Sequence, residues 1–190
     1  MRTIVGHLSA RRFVIPALLA TALTATDAAT RYARLAPPVS SEPPVSFLAT
    51  PVPLRPFAAV DLDGRDVSPA TWRGRITLVN VWATWCAPCR DEIPMLVALQ
   101  EKYRDQVLII GVVQDRASDA SVKSFAASLR MNYPIVRSSR DIEHSISTDL
   151  ALPMTYVVDP AGRVVASHAG RLDPAQIERE IQVLLSDRPL

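Results

Sequence analysis

Two nearly continuous apolar runs, Ile76–Val81 (ITLVNV) and Val107–Val113 (VLIIGVV), constrain this chain more than any other feature. Neither alternates apolar with polar residues, so each reads as a strand buried on both faces. The segment between them, from about Cys86 to Tyr103, places Ile93, Leu96, Val97 and Gln100 near one helical stripe. Strand, helix, strand in that order implies two parallel strands joined by a right-handed crossover, with helices covering the sheet.

The flanking segments extend the pattern. Phe57 to Val67 reads as a short hairpin turning at Asp63-Gly64. Ser118 to Leu129 reads as a helix, with Val122, Phe125, Ala126 and Leu129 at i, i+3, i+4 and i+7. A short strand and a weaker helix, Asp141 to Leu150, are expected next. Met154–Val158 and Val164–Ser167 flank the turn Asp159-Pro160-Ala161-Gly162 and form a hairpin, expected at an antiparallel edge of the sheet. In the last helix Asp173 is the cap, Pro174 fits the first turn and Gln176 can complete a capping box. Ile177, Ile181, Leu184 and Leu185 form its core face. The order β-α-β-α-(β)-α-β-β-α defines a three-layer α/β sandwich over residues 55–190, about 135 residues, enough to bury a core.

The N-terminus has a different character. Arg2, Arg11 and Arg12 precede an uncharged stretch from Phe13 to Thr26, and Ala20-Thr21-Ala22 is a small-residue cleavage site. Residues 1–22 therefore read as an export signal. The alternative is an uncleaved anchor, although 14 uncharged residues fall short of the roughly 20 that span a bilayer. A single Arg-Arg pair is weak support for twin-arginine export. Residues 23–54 read as a proline-rich spacer: seven prolines fall between Pro37 and Pro56, which excludes a helix or a central strand. Without residues 1–22 the balance is 18 basic to 19 acidic residues. No basic patch remains for nucleic acid.

Cys86 and Cys89 are the whole thiol inventory. A disulfide-stapled scaffold and a four-cysteine zinc site are both excluded. His144 and His168 lack a ligand-type spacing partner and read as surface residues, so no metal site is expected. A C-x-x-C at a strand-to-helix junction has a redox logic instead. Two intervening residues let the sulfurs meet across one turn, so the pair can open and close without refolding. At the helix N-terminus, free amides and the macrodipole favour a Cys86 thiolate. Cys89, inside the turn, is the resolving thiol. Pro88 fits the first turn without loss of a helix hydrogen bond.

The block Trp82 to Pro94 (WATWCAPCRDEIP), followed by Leu152 to Arg163 (LPMTYVVDPAGR), resembles the thioredoxin superfamily. Within it, the chain is similar to the exported TlpA/ResA/CcmG-like thiol–disulfide reductases, over about Phe57 to Leu185. The resemblance implies a thioredoxin-like sandwich with an N-terminal β-hairpin and an extra helix–strand insertion before a cis-proline. By position, Pro153 matches that cis-proline and Glu92 the acid placed near the thiols. Trp85, Ala87, Pro88, Leu152 and Pro153 would form the surface on which a substrate docks. Asn80 stands where cytoplasmic thioredoxins carry a buried aspartate, which leaves proton management to Glu92.

The resemblance also implies disulfide-containing target proteins, in cytochrome c maturation or copper-centre assembly, and a membrane electron donor of the DsbD/CcdA type. A periplasmic monomer with no cofactor beyond the Cys86–Cys89 disulfide is the expectation. Two alternatives stay open: an oxidase that donates disulfides, and a Cu(I) carrier using both thiolates with Met154 as thioether. A peroxidase would need a further cysteine in another loop.

Overall fold

The computed structural model describes residues 47–146 and 152–187. The segments read as signal and most of the spacer lie outside them. Six strands form one sheet: β1 (Val52–Pro53), β2 (Ile76–Trp82), β3 (Val107–Val113), β4 (Ile135–Arg137), β5 (Met154–Val158) and β6 (Arg163–Ala169). Among the described residues four α-helices accompany them: α1 (Ala87–Lys102), α2 (Asp119–Ser128), α3 (Arg140–Ile146) and α4 (Pro174–Ser186). The strand order is β1-β6-β5-β2-β3-β4. β2, β3 and β4 are parallel, and β5 runs antiparallel to β2.

Every residue of β2 and of β3 is buried, as two-sided coverage requires. On one face Leu78 and Ile109 pack with Leu96 and Leu99 of α1 and Ile177 and Ile181 of α4. Trp82 and Val113 extend that face to Val122 and Ala126 of α2. On the other, Val79, Val81 and Ile110 pack with Ile142 and Ile146 of α3 and with Trp72. The thioredoxin-like three-layer arrangement is therefore present, with the helix–strand pair α2–β4 lying between β3 and α3 ahead of Pro153.

Three details differ from expectation. The hairpin β5–β6 does not form the sheet's edge, because β5 pairs with β2 and β6 is covered in turn by β1. The sheet also takes in residues before Arg55. Leu48 N–H donates to Val165 O (2.7 Å), and Val52–Pro53 pairs with Val164 and Arg163. Proline is tolerated there because an edge strand bonds on one side only. Finally, the N-terminal hairpin is reduced to bridges, Val60 with Asp66 and Asp61 with Val136. Asp61 Oδ1 accepts from the Asp63 and Arg65 amides and fixes its turn. The second bridge lays that turn along β4.

Helix ends follow their caps. Ser118 caps α2 through the Ser121 amide. In α3 the helix spans Arg140–Ile146, and the remainder of the expected segment lies outside the described residues. Asp173 Oδ1 accepts from the Ala175 and Gln176 amides at 2.8 and 3.1 Å. Gln176 does not complete a box: its side chain donates to Glu180 Oε1 (3.3 Å). Asp173→Ala should therefore lower stability by about 1 kcal/mol in chemical denaturation, with the slope unchanged.

Candidate active site

The site sits where β2 ends and α1 begins. Cys86 is the N-cap of α1 in extended backbone, and its Sγ accepts from the Cys89 amide at 3.3 Å. The two cysteines are joined as a disulfide with Cα atoms 5.3 Å apart. Cys86 is 5% exposed and Cys89 0%, so only the first sulfur lies near the surface. A thiolate at Cys86 would sit at the helix N-terminus, where the amides and dipole stabilise negative charge.

The loop before Cys86 is pinned from β3. Asp115 Oδ2 accepts from the Thr84 amide (2.9 Å) and from the Thr84 hydroxyl, and Oδ1 accepts from Ala117 N–H. Burial works to raise the Asp115 pKa, but the Thr84 and Ala117 bonds outweigh it and hold the carboxyl below its ordinary value. Asp115 was not singled out from sequence. Its one signal is an Asp placed two residues after a buried strand.

Around the disulfide, Trp85 is 68% exposed, and Ala87 and Pro88 are exposed beside it. The Leu152–Pro153 bond is cis, as anticipated. Met154 pairs with Val81, which sets Pro153 at the end of β5 level with the end of β2. Leu152 packs against the cluster that contains both cysteines. Trp85, Ala87 and Pro88 thus form an exposed rim beside Cys86, with Leu152 half-buried against the cysteine cluster and Pro153 buried.

Beneath the rim lies Glu92, 2% exposed. Cys89, Glu92, Ile93 and Leu96 are all buried on α1, at the i, i+3, i+4 and i+7 spacing of one helix face. Glu92 Oε1 accepts from Asn80 Nδ2 at 2.7 Å, and Oε2 accepts from the Leu172 amide at 3.1 Å. Burial raises its pKa above the ordinary value, and the Leu172 amide, the Asn80 amide and Arg171 each oppose that rise without cancelling it. Arg171, which sequence reasoning missed, acts on Glu92 through its charge and lines the same cleft, as the β6–α4 loop lies against α1 through the Leu172 amide. Glu92, Asp91, Met95, Arg171, Leu172, Asp173 and Pro174 line a cleft of about 440 Å³, so the buried carboxyl is adjacent to solvent-accessible space.

The histidines divide. His144 is exposed. His168, expected at the surface, has a largely buried side chain and bonds Glu180 Oε2 at 2.8 Å, because the carboxylate of Glu180 is itself fully buried under α4. Among the described residues no group of three or more His, Cys, Asp and Glu is placed to hold a metal ion. None of the described helices is long and apolar enough to cross a membrane.

A C-x-x-C disulfide at the N-terminus of the helix that follows a central strand, next to a cis-proline and above a buried acid, defines a thioredoxin-like thiol–disulfide oxidoreductase. The chain belongs to the AhpC/TSA family, whose pattern matches residues 50–167. It is 37% identical over 145 residues to the thiol:disulfide interchange protein HelX of Rhodobacter capsulatus, covering 73% of this chain and 75% of HelX. It is 29% identical over 129 residues to the thioredoxin-like protein YneN of Bacillus subtilis, covering 67% and 75%. Among solved structures, a thioredoxin-family thiol:disulfide interchange protein from Chlorobium tepidum superposes with a TM-score of 0.63 at 27% identity, over 73% of this chain and 99% of that one.

Proposed function

We propose that the protein is an exported reductase of protein disulfides, of the cytochrome c maturation or copper-centre assembly type. It acts outside the cytoplasm as a monomer and is re-reduced by a membrane donor of the DsbD/CcdA type. The observation that carries this reading is the pairing of a near-surface sulfur on Cys86 with a resolving Cys89 that is fully buried over Glu92.

The Cys86 thiolate attacks one sulfur of the target disulfide, breaking that bond and forming a mixed disulfide. The released target thiolate takes up from solvent the proton that Cys86 gave up on ionising. Glu92, as carboxylate, accepts the Cys89 proton, and the Cys89 thiolate then attacks Cys86 Sγ. The enzyme disulfide forms, and the second target thiolate leaves and takes the proton that Glu92 held. Two electrons and two protons pass to the target. The raised proton affinity of Glu92 suits it to both halves of that exchange. Exposed Trp85 supplies apolar area whose burial on docking contributes about 1–3 kcal/mol.

The test is the redox state of Cys86–Cys89 in cells, read by alkylation of acid-quenched samples. Reduced protein is expected when the membrane donor is present, and oxidised protein when it is deleted. Oxidised protein in both strains would contradict a reductase and favour disulfide donation.

A further inference from the structure

Thr84 and Trp85 are the two central residues of the turn that delivers Cys86 to α1. Cys86 N–H closes that turn on Ala83 O at 3.1 Å. A single side chain just past β3 holds Thr84 in it. Asp115 Oδ2 accepts from the Thr84 amide at 2.9 Å and from the Thr84 hydroxyl. Its Oδ1 accepts from the Ala117 amide at 2.8 Å. Both carboxylate oxygens are therefore in use, which an asparagine cannot reproduce, because one end of its amide is a donor. Hydrogen bonds to an ionised acceptor are also about twice as strong as neutral ones.

Asp115 is itself fixed from three strands. Gln114 N–H donates to Trp82 O at 2.8 Å, which extends the β2–β3 ladder past its last register pair, Trp82 with Val113. From the end of β4, Arg137 Nη1 donates to Asp115 O at 2.9 Å and Nη2 donates to Ala117 O. Its Nε donates to Asp119 Oδ1 at 2.8 Å. Ser138 N–H in turn donates to Val113 O at 3.0 Å and ties the end of β4 to β3. Support therefore passes from the sheet to the 114–119 loop, through Asp115 to Thr84, and on to Cys86 two residues later. The same turn carries Trp85, which with Asp115, Arg116, Arg137 and Glu143 lines a cleft of about 500 Å³.

We propose that Asp115 is a positioning residue for the attacking thiol: by clamping Thr84 it fixes the turn 83–86 and holds Cys86 in the N-cap geometry that points its sulfur at the Cys89 amide. The proposal rests on the reading of Cys86 as the nucleophile. Cys86 has extended backbone and its Sγ accepts from the Cys89 N–H at 3.3 Å, as a helix-capping side chain does. A thiolate there gains from that amide and from the helix dipole only while the cap geometry holds. Asp115 then has two effects on Cys86 of opposite sign. Its charge disfavours a nearby thiolate, whereas its clamp favours one. The clamp is the larger effect. Asp115 is only half-buried, so its charge is screened, while the cap contact between Cys86 and the Cys89 amide is direct.

The experiment is the pH dependence of Cys86 alkylation in the full chain, in a Cys89→Ala background that leaves one thiol and keeps the amide at position 89. Asp115→Asn should raise the Cys86 midpoint by about half to one pH unit. Thr84→Val, which removes the hydroxyl bond and leaves the Asp115 charge in place, should raise it by less. Thr84→Ser should keep the parent value. Arg116, Arg137, Glu143 and the buried Glu92 are unchanged in all three, so none of them supplies the shift. A midpoint that falls in Asp115→Asn would overturn the proposal, because Asp115 would then act through its charge. A midpoint unmoved in both Asp115→Asn and Thr84→Val would overturn it too, leaving a contact that only stabilises the fold. The Thr84 variants carry the same test if Asp115→Asn does not fold. Alkylation reads neither turnover nor the direction of electron flow, so its outcome stands apart from that of the reductase assignment.

Discussion

Replacing Cys89 with alanine is expected to accumulate covalent complexes between Cys86 and target proteins, whereas Cys86→Ala accumulates none. Both variants should lose disulfide reduction by at least about 10³-fold. The asymmetry follows from position. Cys86 caps α1 with its sulfur near the surface and the Cys89 amide directed at it. Cys89 lies inside the first turn, fully buried. Without Cys89 the mixed disulfide forms but has no internal thiol to resolve it. The check is non-reducing electrophoresis of acid-quenched extracts. Equal trapping by the two variants would reverse or abolish the assigned roles.

Glu92→Gln is expected to slow target reduction by about 10²-fold, the usual scale for loss of a positioned acid–base. It should also lower the Cys89 thiol pKa, because an anion beside a thiol disfavours the thiolate and the amide removes that anion. Stability changes with pH in a defined direction. The native pKa of Glu92 is raised, chiefly by burial, so the folded state holds a proton that the unfolded chain has released. Its contribution is present at pH below the ordinary carboxylate value. It is lost as pH rises from that value through the raised native one. Denaturation across that window should show parent stability falling and the Gln variant lacking this component. Unchanged thiol titration together with unchanged reduction rates would leave Glu92 as an ordinary helix residue.

The parts of this molecule legible in its sequence are those whose signal is local. β3 was bounded residue for residue, and β2 to within one, because strands covered on both faces leave uninterrupted apolar runs. α4 was marked by Asp173, Pro174 and its apolar face. The dithiol and Pro153 were carried by two motifs in order. Long-range placement was not legible. β1 was hidden by the prolines that confine it to an edge, and the position of β5 beside β2 is a matter of sheet topology that periodicity does not encode. Glu92 could be named, but its partners could not. Leu172 is 80 residues away along the chain and Thr155, behind Asn80, is 75 residues from Asn80. His168 reads as a surface residue for the same reason: its buried partner Glu180 lies on another element.

The most direct measurement is the reduction potential of the Cys86–Cys89 pair, obtained by equilibration with a defined thiol–disulfide buffer at neutral pH. A reductase holds its dithiol as the less stable form, ready to pass electrons on. A value near about −270 mV is therefore expected, in the range of thioredoxin. A value near about −120 mV, that of a strong disulfide donor, would contradict the assigned direction of electron flow.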